Sequence, residues 1–345
     1  MTKQRALSLL KLIATILIVA ASIYFTIKNV DFSELGRSFR QANYLVALSI
    51  IPVIVLSHFV RAHRWKIMLT GIHPQARISS LFAGVIVGYF MSNIIPRSGE
   101  FVRPYVTTQR DDNTTYSSLL GTIIVERFID MVGLLVIIAA VLYFDASLFR
   151  GFPEFEGAIK NTLFLAIALG LVFIVIAPSR WGLRIAQTIS APLPGKVRAK
   201  VLDVFTKLQI GFGALHSTRQ TVLVVCETAL MYILYMLPLY IMFFAVPSGL
   251  AVSPSLFDAV RLLAVTSLAY AVAPTPGAFG VFHVTARVAT MSMLQFTEAD
   301  AVAYATIMHF INYTTVMVIG GYYLVAFNIS LKDLVRRGDA RVHAS

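Results

Sequence analysis

The sequence predicts an all-α, polytopic membrane protein, and three observations carry that prediction. Of the 345 residues, 57% are hydrophobic and 13% are charged, against about 45–50% and about 25% in a soluble domain. The apolar runs, such as residues 9–27 and 119–144, are long and do not alternate. No stretch has the composition of a soluble domain of any size. In a bilayer only helices and closed barrels satisfy their own backbone hydrogen bonds. A barrel strand alternates over roughly ten residues, so helices are the expected spanning element.

A helix needs about 20 apolar residues to span the hydrocarbon. Six full spans are predicted, at 9–27, 44–60, 119–144, 162–178, 221–246 and 301–327. The first is too long for a signal-peptide core, and Tyr24-Phe25-Thr26-Ile27 offers no small-residue cleavage site. Two weaker regions, 80–96 and 259–273, are apolar but end in Pro/Gly loops, and the second continues into a moderately apolar piece at 279–294.

Charge sets the orientation. The formal charge is +12, from 29 Lys and Arg against 17 Asp and Glu. With no soluble basic domain, nucleic acid is not an expected partner. The charge reads as the Lys/Arg bias of cytoplasmic loops and contact with anionic lipid headgroups. Lys3 and Arg5, Arg61 to Arg77, the stretch 179–220 and the tail at Lys332 to Arg341 therefore belong inside. The loops 145–160 and 247–255 belong outside. One strong span separates Arg77 from Asp145, and one separates Ser253 from Lys332. The weak regions must then enter and leave on the same side, as two re-entrant, broken helical hairpins. The stretch 179–220 reads as an interfacial amphipathic linker. The location expected is the cytoplasmic (inner) membrane, with both termini in the cytoplasm.

The two broken regions resemble each other. Pro96-Arg97-Ser98-Gly99-Glu100-Phe101 and Pro274-Thr275-Pro276-Gly277-Ala278-Phe279 share P-x-x-G-x-F. Downstream, Arg127-Phe128-Ile129-Asp130 matches His309-Phe310-Ile311-Asn312 in the same order. The chain therefore reads as one transmembrane domain over 1–345, with repeat halves of about 44–144 and 221–327. The topology count gives the halves opposite orientation. Short, Gly/Pro-interrupted segments at corresponding places in inverted repeats point to a transporter's binding site. Pro96, Gly99, Pro274, Pro276, Gly277 and Gly280 form the hairpin loops, with Gly99 and Gly277 permitting the tight break.

Ionisable residues inside spans cost about 2.5–3.5 kcal/mol each to insert and are functional by default. The first half concentrates Arg97, Glu100, Arg103, Glu126, Arg127 and Asp130. Glu126 and Asp130 share a helix face, as do Arg97, Glu100 and Arg103 if that piece is helical. Arginine presents a planar fork to phosphate or carboxylate. The plainer reading is that these charges pair and pin the hairpin to its neighbour. His309 and Asn312 stand at the matching places of the second half, and His309 reads either as a group for proton coupling near neutral pH or, more plainly, as a satisfied hydrogen-bonding residue of its helix. Asn93 is placed to satisfy backbone groups freed by the first break. Arg61, Arg64 and Trp65 read as an interfacial anchor or as the point where a lipid headgroup enters. Glu227 has no assignment. Cys226 is the sole cysteine, so no disulfide and no cysteine metal site is expected, and no cofactor or metal is indicated. No sequence signature of an enzyme is present.

Three motifs in order, N-x-x-P-R-x-G-E-x-x-R at 93–103, E-R-x-x-D at 126–130 and P-x-P-G-x-x-G at 274–280, resemble the transmembrane region of lysylphosphatidylglycerol synthases. That region is the flippase portion of the multiple peptide resistance factor, and it also occurs as stand-alone membrane proteins. The resemblance covers roughly residues 9–327 and implies a lipid flippase-like fold of about eight membrane segments. Bifunctional members add a soluble synthase that uses aminoacyl-tRNA. Here 18 residues follow the last predicted span, so aminoacyl transfer is not expected. The function expected is flippase-like movement of a phospholipid or another lipid-linked anionic headgroup. The alternative is an integral-membrane accessory subunit or enzyme acting on phospholipid or polyprenyl-linked substrates. Expected partners are membrane lipids: anionic or aminoacylated phospholipid, or polyprenyl-linked lipid. A separately encoded synthase and self-association stay open.

Overall fold

A computed structural model describes residues 17–28, 30–145, 153–176, 180–195, 217–273 and 275–330, with Leu334 and scattered positions between 197 and 209. Pro274, the first part of the first predicted span and most of the predicted interfacial linker beyond Gly195 lie outside the described residues. So does the basic tail at Lys332 to Arg341.

The described residues form helices and no strand. In chain order these are α1 Leu17–Ile27, α2 Phe32–Gln41, α3 Tyr44–Leu48, α4 Ile50–Leu69, α5 Ile78–Ile94, α6 Gly99–Thr108 and α7 Tyr116–Phe144. They continue with α8 Pro153–Ile176, α9 Arg180–Ser190, α10 Thr218–Phe243, α11 Pro247–Val252, α12 Leu256–Val272, α13 Val281–Leu294 and α14 Glu298–Ala326. Tyr44–Leu69, α10 and α14 are each long and apolar enough to cross a membrane. Helix α7, at 29 residues, is about 44 Å long at ~1.5 Å per residue, more than the roughly 30 Å of hydrocarbon. The fold is that of an all-α membrane protein.

Two expected loops are partly helical. Helix α8 starts at Pro153, inside the expected outer loop 145–160. Helix α11 starts at Pro247, inside the expected linker 247–255. Proline suits the first helical position because its φ is preset and that position has no hydrogen bond to lose. Helix α12 opens with a capping box. Ser255 Oγ accepts from the Asp258 amide, and Asp258 Oδ2 accepts from the Ser255 amide.

Both weak regions are helix–break–helix. Helices α5 and α12 have 17 residues each. The first break covers residues 95–98. The second covers 273–280 and includes a 3₁₀ turn at Pro276–Ala278. In each half the break leads through a short helix to a 29-residue one, α7 or α14. At the second break Gly277 and Gly280 take φ of 57° and 78°, the left-handed region that glycine enters at low cost. At the first break the residue with positive φ is Arg97, at 62°. Gly99 instead begins α6, so it is not the residue that permits this turn. Arg97 consequently precedes α6 and shares no helix face with Glu100 and Arg103. The amide of Gly99 is taken by Ser92 Oγ at 3.1 Å, the task expected of Asn93.

Contacts divide the chain into two compact units, each drawing on both halves of the sequence. One comprises Met1–Ser57, Tyr89–Gly99 and Ile233–Tyr322. The other comprises His58–Gly88, Glu100–Tyr232 and Tyr323–Ser345. In the first unit, Phe243 stacks on Tyr304 at 5.3 Å between ring centroids, and Tyr304 donates to the Leu239 carbonyl at 2.8 Å. In the second unit, Met68, Val125 and Val224 form a buried apolar group flanked by Ile67, Ile124 and Ile129. This group joins α4, α7 and α10 beside the polar residues described next.

Candidate functional site

In the second unit, three helices turn charged faces toward one another. On α4, Arg61, Arg64, Trp65 and Met68 follow the spacing that puts residues on one helical face. All four are buried, with Arg64, Trp65 and Met68 at 0% exposure and Arg61 at 3%. On α7, Thr122, Glu126 and Asp130 repeat every fourth residue and share a face. Helix α6 brings Arg103, also buried. It lies against α5 at Gly84, where an added Cβ would meet Thr107 Oγ1 at 2.3 Å and the Arg103 carbonyl at 2.9 Å. Only a residue without a side chain allows that approach.

Glu126 is the centre. It is fully buried and pairs with Arg61, with Arg103 Nη1 at 2.8 Å, with Arg64 Nη2 at 3.3 Å and with Arg127 Nη2 at 3.3 Å. Asp130 receives Arg64 Nη2 at 2.7 Å and Arg61 Nη1 at 3.2 Å. Arg64 also donates to Thr228 Oγ1 on α10 at 2.8 Å, and Tyr232 donates to the Asp130 carbonyl. The Arg103 guanidinium lies over the Trp65 ring, 3.7 Å from its centroid. Trp65 Nε1 in turn donates to Thr122 Oγ1 at 2.8 Å. At the rim, Arg127 and Glu100 are about two-fifths exposed and face each other at 3.7 Å.

Two features set the chemistry. First, three buried guanidiniums meet two carboxylates, leaving one surplus positive charge. Counting the rim pair leaves the surplus unchanged. A buried net charge is costly unless something pairs with it. Second, Arg103 Nε and Nη2 and Arg64 Nε are buried without a hydrogen-bond partner. In a guanidinium, Nε and Nη2 form one edge of the planar fork that binds carboxylate or phosphate through two parallel bonds. The arrangement is therefore suited to one anionic group. Among the described residues no three of His, Cys, Asp and Glu converge to hold a metal.

The structure thus gathers Arg103, Glu126, Arg127 and Asp130, with Glu100 at the rim. It corrects the reading of Arg61, Arg64 and Trp65 as an interfacial anchor: buried at 0–3% exposure, they are the inner wall of the cluster. Their charges are neutralised by α7, so they have no reason to reach for the headgroup layer. Arg97 is exposed, belongs to the other unit, and donates to the Ala271 carbonyl at 3.4 Å. His309 also lies in that other unit, where its Nε2 is 2.7 Å from the Gly277 carbonyl. Phe279, His283 and Tyr313 surround it, and Asn312 on the next turn is exposed. Thr122, Thr228, Tyr232 and Gly84 were not foreseen. The spacing of Arg61 and Arg64 opposite an equally spaced acidic face was the one available signal for the α4–α7 pairing.

Comparison with known proteins agrees with a membrane protein. The sequence model of the family described as "Lysylphosphatidylglycerol synthase TM region" matches residues 12–320. A UPF0104 membrane protein of Pyrococcus horikoshii is 26% identical over 99 residues, covering 28% of this chain and 30% of that protein. The match thus spans less than a third of that relative's length. No solved structure matches the chain.

Proposed function

The chain belongs to the lysylphosphatidylglycerol synthase transmembrane-region family, and we propose that it moves a lipid carrying an anionic headgroup across its membrane in flippase-like fashion. The observation that carries this reading is the buried cluster with one surplus positive charge and an unpartnered Arg103 edge. A phosphate on a lipid headgroup supplies the missing charge and accepts both free donors. Arg61 and Arg64 hold the carboxylates that keep the guanidiniums in place, Trp65 stacks beneath Arg103, and the Glu100–Arg127 pair stands where the headgroup arrives. The two helix–break–helix regions, read as inverted repeats, are the elements that exchange access. The cytoplasmic membrane and cytoplasmic termini follow from the Lys/Arg bias and belong to the same proposal. No aminoacyl transfer or other catalysis enters this reading.

Proteoliposomes containing tail-labelled phosphatidylglycerol, phosphatidylethanolamine or phosphatidylcholine test it by a membrane-impermeant quencher. The expected result is movement selective for the anionic headgroup, lost in Arg103→Gln. Equal movement of all three lipids refutes headgroup recognition by the cluster. No movement, together with chemical turnover of lipid in detergent micelles, favours the enzyme or accessory-subunit alternative.

A further inference from the structure

Beside the cluster, α4 and α10 make a second polar rung that the reading above leaves unused. His63 Nδ1 lies 2.5 Å from Glu227 Oε1. The next residue on each helix forms the Arg64–Thr228 bond, so the two rungs are adjacent. The His63 side chain is 49% exposed and that of Glu227 is 16% exposed. Glu227 Oε2 is buried without a hydrogen-bond partner. A pin between the helices does not require this pair, because Arg64–Thr228 and the Met68–Val125–Val224 packing already join them. A permanent pin would also be better served by lysine or arginine, since histidine releases its proton within the physiological range. The pair reaches from a half-exposed imidazole to a carboxylate with one buried oxygen.

The other charged residues on these helices are Arg61, Arg64 and Lys66 on α4, Arg219 on α10, and Glu126, Arg127 and Asp130 on α7. Arg103 and Glu100 come from α6, and Cys226 and Thr228 flank Glu227 on α10. With a proton bound, the pair is neutral and the cluster keeps its surplus of one positive charge for an anion. Without it, Glu227 contributes a negative charge next to Thr228, the partner of Arg64, and offsets that surplus. Binding of the anion and binding of the proton then favour each other, and linkage makes the effect reciprocal.

We propose that the His63–Glu227 pair is a proton-carrying site that makes lipid movement proton-coupled, one proton travelling with each monoanionic headgroup. This rests on the translocation reading above. The test uses vesicles holding the full chain, voltage-clamped with potassium and valinomycin, and labelled phosphatidylglycerol as the probe. For one-to-one coupling, an imposed gradient of one pH unit shifts the final leaflet ratio toward the alkaline side by up to about tenfold. His63→Gln and Glu227→Gln are expected to move lipid without responding to the gradient. His63→Lys keeps a permanent ion pair, and so the fold, but loses the response as well. Wild-type movement that ignores the gradient overturns the coupling and leaves translocation standing, as does a response that survives in His63→Lys. Absence of all lipid movement in wild type refutes the translocation reading, and the coupling with it.

Discussion

Replacing Glu126 and Arg103 in turn separates a functional charge surplus from a merely structural network. Glu126→Gln keeps the side-chain shape but removes the charge shared by Arg61, Arg64, Arg103 and Arg127. The buried part then holds three cations against Asp130 alone, a surplus of two. Breaking a buried pair from one side costs about 3–5 kcal/mol, and that is the expected loss. Arg103→Gln brings the surplus to zero. It forfeits the stacking over Trp65, about 0.5–2 kcal/mol, and replaces the charged bond to Glu126 Oε2 with one from the glutamine amide, while Oε1 keeps its three partners. Its expected cost is no more than about 2 kcal/mol. The assay is unfolding by SDS titration in mixed micelles, followed by tryptophan fluorescence; Trp65, one of two tryptophans in the chain, reports from inside the cluster. Adding phosphatidylglycerol at about 100 times its dissociation constant should stabilise wild type by about 2.7 kcal/mol and leave Arg103→Gln unmoved. If Arg103→Gln costs as much as Glu126→Gln, and lipid stabilises neither form, the surplus-charge argument is wrong and the arginines are simply structural partners.

Other substitutions probe single contacts. Arg64→Lys loses the fork that reaches Asp130 and Thr228 together, and should cost about 1.5–3 kcal/mol in the same titration. Gly84→Ala places a Cβ 2.9 Å from the Arg103 carbonyl; it should cost about 1–3 kcal/mol through overpacking and reduce headgroup selectivity by shifting α6. Gly277→Ala combines a φ of 57° with a Cβ 2.8 Å from Tyr313 Cε2, and thermal unfolding should show a loss of at least about 1–2 kcal/mol. Arg97→Gly relieves a left-handed arginine. It should be neutral or stabilising by up to about 1 kcal/mol in thermal unfolding.

The sequence by itself determined the class of the molecule. Long unalternating apolar runs admit only helices in a bilayer, so the spans at 44–60, 221–246 and 301–327 reappear in Tyr44–Leu69, α10 and α14, and the run 119–144 lies within helix α7. The Pro/Gly interruptions also marked both helix breaks, because proline and glycine change the backbone locally and need no distant partner. Half of the charged site was legible in the same way. Glu126, Arg127 and Asp130 are ionisable residues in an apolar helix, which is costly wherever the helix packs. What the sequence left undecided was pairing between helices. Arg61, Arg64 and Trp65 have the composition of an interfacial anchor, and only the packing of α4 against α7 makes them buried partners of Glu126 and Asp130. Arg97 lies in the same motif as Arg103, yet its left-handed φ at the break takes it off the α6 face. His63 and Glu227 are 164 positions apart. No local rule joins them, because the bond depends on the register of α4 against α10, which is set by side chains the two segments share only after folding.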